Sequence, residues 1–132
     1  MTANLSPQYA FTKTISTTSS SHTGTAAGTD PTITDLTIGE TVTYVLTATI
    51  AEGTTPQVTI DDVIALTNGI LDIRNVTISA GTNLTTDAAA SFGAIVPTLT
   101  DSNFDGYDDQ LTIDFGQVVN DATGPDPEDG QI

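Results

Sequence analysis

The sequence predicts an all-β chain, an antiparallel β-sandwich of roughly seven strands that is missing its last one. Three observations predict this class. Threonine supplies 27 of the 132 residues, and β-branched side chains suit a pleated surface, while charged helix formers are few. Apolar residues alternate at a period of two in several segments, which places them on one face of a strand. No apolar set recurs at a helical period, and Gly, Pro, Asp and Ser clusters punctuate the segments as turns do.

Residues 1–8 read as a linker or lead-in, and 9–132 as a single sandwich domain. Tyr9–Ile15 is the first expected strand. Residues 16–34 are rich in Ser, Thr, Gly and Ala and read as a long flexible loop holding the only histidine, His22. Thr41–Ile50 is the clearest strand, with Val42, Tyr44, Leu46, Ala48 and Ile50 on its inward face. Ala51–Pro56 reads as a turn and Gln57–Ile64 as the third strand. Leu71–Ile78 is the fourth, and its apolar parity slips between Ile73 and Val76, the mark of a β-bulge near Arg74-Asn75. Ile95–Leu99 is a short strand. Gln110–Phe115 is another, followed by Gly116 and Val118-Val119. Gln131-Ile132 reads as the start of a further strand, so the domain is expected to be truncated at its C-terminal end.

Seventeen acidic residues face two basic ones, Lys13 and Arg74, for a net charge of −15. Phosphate would be repelled, which excludes nucleic acid as a partner and argues against anionic lipid surfaces. Such a balance suits cation binding and solubility at high ionic strength. No apolar run reaches the length of a membrane span, so no membrane insertion is expected. With no cysteine, disulfides cannot staple the fold, and a metal site or an isopeptide would have to substitute. The first residues carry neither the basic nor the apolar segment of a signal peptide.

Two residues carry unusual chemistry for their place in the pattern. Lys13 shares its parity with Tyr9, Phe11 and Ile15, so it lies on the apolar stripe of the first strand. Asp62 shares its parity with Val58, Ile60 and Ile64. A buried ammonium must find an acid or lose its proton. A desolvated lysine and a protonated aspartate are the elements of an autocatalytic isopeptide cross-link. The competing reading puts each at a strand end, reaching solvent.

The segment Asp101–Asp109 is the strongest chemical signal. Oxygen-bearing side chains stand at Asp101, Asn103, Asp105 and Asp109, with Gly106 at the sixth position and the Tyr107 carbonyl at the seventh. That is calcium-loop spacing: alternate side chains converge on one ion and glycine permits the tight turn. A donor set of oxygens alone selects a hard cation. Thr112 stands where a bidentate glutamate would close a helix–loop–helix site, so Asp108 or Asp109 must close this one. The competing reading is a solvated acidic turn. Other candidates are poorer. Asp61 and Asp62 point to opposite faces and cannot form an acid–base pair. Nothing visible orients His22 for catalysis. Asn75-Val76-Thr77 and Asn83-Leu84-Thr85 match the glycosylation sequon, a short motif that also arises by chance.

The stretch Asp35–Ile64, DLTIGETVTYVLTATIAEGTTPQVTIDDVI, with FTKTI before it and LTIDFGQVVN after it, resembles the repeated β-sandwich domains of large bacterial surface adhesins. These are related to the Lys–Asn isopeptide-forming domains of fimbrial shafts. The resemblance runs from about Phe11 to Asn120 and implies an immunoglobulin-like, Cna-like sandwich on the bacterial cell surface, outside the cell. It implies that Lys13 matches the reactive lysine and Asp62 the catalytic acid. Family domains usually read DTLP where this chain has Asp62-Val63-Ile64-Ala65. They also continue with further strands, and the reactive asparagine usually lies on the last of these. Three readings follow. The chain is the catcher half of a split pair, or it is completed by a closing strand from a neighbouring protomer or domain, or Asn120 is itself the partner. In each, the chain is no enzyme beyond a single-turnover self-reaction, and no organic cofactor is expected. The alternative function is a calcium-dependent module that binds a carbohydrate or a receptor on a host or cell surface.

Overall fold

A computed structural model of the chain describes residues 10–19, 38–64, 70–121 and 132. Among the described residues every ladder is antiparallel, and the helical content is one 3-10 turn, Phe92–Ala94. The chain is all-β with two antiparallel sheets, consistent with a β-sandwich. No helix among the described residues is long and apolar enough to cross a membrane. The described residues divide into two compact units, within Tyr9–Thr49 and within Ile50–Ile132.

The first unit is a two-stranded sheet of β1 (Ala10–Thr18) and β2 (Val42–Thr49). Its register pairs Phe11 with Ala48, Lys13 with Leu46 and Ile15 with Tyr44, so these six side chains share one face, as the alternation predicts. Thr12–Thr47 and Thr14–Val45 share the other. The register shifts between Ile15 and Thr17, and β1 continues to Thr18, three residues past its expected end. Ser19 closes the ladder: its N–H donates to the Thr41 carbonyl at 2.9 Å, and its hydroxyl accepts the Thr41 N–H at 2.9 Å. The expected burial of the β1 stripe is not found. Ala10 through Ile15 are all exposed, Lys13 included. Parity fixes which side chains share a face and not how deeply each is buried: on the same face Ala48 is buried and Tyr44 and Leu46 are half-buried.

The second unit is built around β6 (Gln110–Asn120). On one side β6 pairs along its length with β3 (Gly53–Val63). It also pairs with two short strands, β5 (Thr98–Thr100) at Gln110–Thr112 and β4 (Leu84–Thr86) at Val118–Asn120. The expected turn at Ala51–Pro56 is instead the start of β3, which begins at Gly53 with φ +108°. Pro56 leaves its trace as a register break between Thr55 and Val58, because proline has no N–H to give the ladder. From there the expected parity holds: Ile60 is buried, Val58, Asp62 and Ile64 are half-buried, and Thr59, Asp61 and Val63 are exposed.

Gly116 does not end the last strand. Before it, Leu111, Ile113 and Phe115 face inward; after it, Val118 and Asn120 do. The inward parity changes from odd to even across Gly116, whose φ is +61°, and the β3 register skips a residue there. That is a bulge. The result is a core of Ile50, Ile60, Leu84, Phe92, Ile95, Leu111, Ile113, Phe115 and Val118. Phe115 is 1% exposed and Val118 0%, and the Phe92 and Phe115 rings lie 5.9 Å apart at 41°.

The expected fourth strand, Leu71–Ile78, joins no ladder. Its parity slip is real nonetheless. Leu71 and Ile73 are half-buried before the slip and Val76 and Ile78 after it, and between them Asn75 takes φ +56°. Both flanks of β6 are already occupied, and the Ile73 N–H finds the Asp108 carbonyl at 2.7 Å instead. The expected strand at Ile95–Leu99 begins three residues later, at Thr98, and β4 went unforeseen in a stretch that reads as a Thr-, Ala- and Gly-rich interval.

A Cβ at Gly116 would overlap the Asp87 carboxylate, whose Oδ1 accepts the Gln117 N–H at 2.7 Å. Gly116→Ala is expected to destabilise the protein by about 1–3 kcal/mol, from left-handed strain and the displaced Asp87 bond. Urea unfolding checks it; an unchanged midpoint would contradict the bulge as described.

Candidate metal loop

Thr100 and Gln110 are direct cross-strand partners, so residues 101–109 form the connection closing the β5–β6 pair. Asp109 locks its base. The Asp109 N–H donates to the Thr100 carbonyl at 3.0 Å, its carbonyl accepts the Ile64 N–H at 2.9 Å, and its Oδ1 accepts the Ser102 N–H at 2.7 Å. The residue is 7% exposed. The Ser102 hydrogen bonds hold the Asp109 carboxyl below its ordinary value, against an opposing contribution from desolvation.

The tip is organised by side-chain oxygens gathered on three consecutive backbone N–H groups. Asp101 Oδ1 and Asn103 Oδ1 both accept the Asp105 N–H, at 3.1 and 3.0 Å. Asp101 Oδ2 accepts the Gly106 N–H at 2.7 Å, and Asp105 Oδ1 accepts the Tyr107 N–H at 3.0 Å. Two left-handed residues make the winding possible, Gly106 at φ +91° and Phe104 at φ +64°. Gly106 was legible from the spacing. Phe104 was not, since aromatic side chains rarely take that conformation. Its ring is 91% exposed at the tip.

The structure therefore brings Asp101, Asn103 and Asp105 together and turns Asp109 into the base of the loop. Asp108 is half-buried and gives its carbonyl to Ile73, while Tyr107 is exposed. Among the described residues, no three Asp, Glu or His side chains gather round one point. The acids alone make no cage, and a cation here would draw on two carboxylates, the Asn103 amide oxygen and backbone carbonyls. Each of these oxygens has a second lone pair beyond its N–H partner. The donor chemistry fits a hard cation, held weakly. The only Lys or Arg between residues 50 and 132 is Arg74, and its guanidinium is on Asp72 at 2.5 Å.

The isopeptide residues are placed differently. Lys13 lies in the first unit with its Nζ 4.8 Å from the Tyr44 ring centroid, a cation–π contact at an exposed site. Asp62 is half-buried on β3 opposite Leu111. Asn120 is 5% exposed, and its Nδ2 donates to the Ile50 carbonyl at 2.8 Å. Leu111 and Asn120 stand nine residues apart on β6, roughly 30 Å of strand at about 3.3 Å per residue. Asp62 and Asn120 thus belong to opposite ends of the sheet, and the acid cannot serve the Asn120 amide. The neighbouring Asp61 is exposed and accepts the Thr112 hydroxyl at 2.7 Å, on the face opposite Asp62. His22 lies outside the described residues.

Two outcomes follow from these placements. A lowered folded-state pKa contributes stability above the ordinary value of 3.8 and loses it as pH falls below that value. Asp109→Asn is therefore expected to be less stable than the wild type at pH 7, with the gap closing on acidification below 3.8; parallel stability curves measured in chelator would overturn this. The separation of Asp62 from Asn120 predicts that the isolated chain keeps its full sequence mass, without the loss of about 17 Da that release of ammonia would bring. Intact-mass spectrometry decides it.

The chain matches no protein-family model, no curated protein and no solved structure, so its resemblance to surface-adhesin repeats rests on the sequence segments alone.

Proposed function

We propose that this chain is an extracellular structural or adhesive module of a bacterial surface protein, with the Asp101–Asp109 loop as its calcium site. The observation that carries the proposal is the gathering of Asp101, Asn103 and Asp105 oxygens on the N–H groups of residues 105–107. Four carboxylates stand within nine residues there, and a divalent cation would relieve their mutual repulsion. So few carboxylate ligands give an affinity in the range of extracellular modules, loaded where calcium is millimolar.

A closing strand as partner is the second part of the proposal. Among the described residues β3 pairs with β6, Asp62 lies on β3, and a closing strand would add along its other side. An incoming strand bearing an asparagine would pass beside Asp62, which is where the cross-linking reading needs it. The alternative, a calcium-dependent module for a carbohydrate or receptor, draws on the exposed Phe104 at the loop tip.

Calcium at about ten times its dissociation constant stabilises a protein that binds it only when folded by about 1.4 kcal/mol. The melting temperature is expected to rise by about 4–7 °C in millimolar calcium relative to chelator. Asp101→Ala with Asp105→Ala should abolish the rise. Identical curves for the wild type in calcium and chelator would sink the calcium reading. For the cross-link, a Lys13-dependent covalent product with a closing-strand peptide on denaturing electrophoresis is expected, and Lys13→Arg should lose it, since a guanidinium stays protonated.

A further inference from the structure

Of the two glycosylation sequons in the described residues, the fold presents one and withdraws the other. Asn75 and Thr77 are both exposed, with Val76 half-buried between them. The left-handed turn at Asn75 lifts the residue out of the alternation of its neighbours, and residues 71–80 carry no ladder. Asn75 and Thr77 are thus both exposed, on a segment outside the ladders, anchored at Ile73 by its bond to the Asp108 carbonyl. The second sequon is held. Leu84 at its centre is buried and gives its N–H to the Gly81 carbonyl at 3.2 Å. The Asn83 carbonyl accepts the Asp121 N–H at 3.0 Å, and Thr85 lies in β4 opposite Val119.

We infer that Asn75 is an acceptor for an N-linked glycan. The donor is an oligosaccharide carried on a polyisoprenoid phosphate or pyrophosphate. The Asn75 amide nitrogen forms a bond to C1 of the first sugar, and the C1–O bond to the carrier breaks. The phosphate leaves with the bonding electrons, and the amide proton passes to a base of the transferase. The glycan stands on the surface, where its bulk costs the fold nothing and shields the stretch around Asn75. In the cell this needs export, which rests on the extracellular reading; transfer in vitro does not, so the two fail separately.

The test uses a purified oligosaccharyltransferase, a lipid-linked oligosaccharide, the folded full chain, and synthetic peptides spanning residues 70–80 and 79–90. Both peptides are expected to accept glycan. In the folded chain Asn75 is expected to accept it as readily as its peptide does, and Asn83 at least about tenfold more slowly, because β4 must first open. Amidase treatment, which turns a glycosylated asparagine into aspartate, locates the site by peptide mass. Asn75→Gln and Thr77→Ala should abolish transfer at this site, and Thr77→Ser should retain it. The inference is overturned if the folded chain stays unmodified at Asn75, if Asn83 reacts as fast, or if the 70–80 peptide refuses the glycan.

Discussion

The second unit depends on one backbone conformation. With φ +61° at Gly116, β6 presents Leu111, Ile113 and Phe115 to the core before the bulge and Val118 and Asn120 after it. A strand of regular pleat would send either the first set or the second toward solvent. The bulge also leaves room for the Asp87 carboxylate, which fills the stretch of β6 between its pairings with β5 and β4 and accepts the Gln117 N–H. Thr86 supports the same point by donating its hydroxyl to the Phe115 carbonyl. One glycine thus lets a single strand serve three partners.

Much of this was legible in the sequence, and the rest failed for physical reasons. Alternation located β2, the inward face of β3 and the first half of β6, because burial on one face enforces period two. The slip at Asn75 was visible as a change of parity. Pairing was not visible: Leu71–Ile78 has strand-like alternation without a ladder, since hydrogen-bond partners are decided by which edges remain open. The start of β3 was hidden because Gly53 and Pro56 usually mark turns, and here they mark a left-handed strand start and a register break. In the loop, oxygen spacing told which side chains gather at the tip. It could not tell that Asp109 would instead hold Ser102.

Lys13 shows how far parity reaches. The pattern placed it correctly on the face of Phe11 and Ile15, and the register adds Tyr44 and Leu46 to that face. It did not follow that Lys13 is buried: the β2 half of that face is buried or half-buried, and the β1 half is exposed. Its ammonium stands over the Tyr44 ring, so an aromatic face on the same stripe receives the cation.

The β3–β6 register also bears on how the unit answers a pull along the chain. Gly53 opens β3 and Asn120 closes β6, and the two are direct cross-strand partners. Tension entering at the first and leaving at the second meets the ladder at one end and parts it pair by pair, as a zip opens, without loading its rungs together in shear. The first rung in line is the one reinforced by the buried Asn120 side chain, whose amide also grips the Ile50 carbonyl, three residues before Gly53. That residue sits as a clasp at the point where a load would begin to open the sheet.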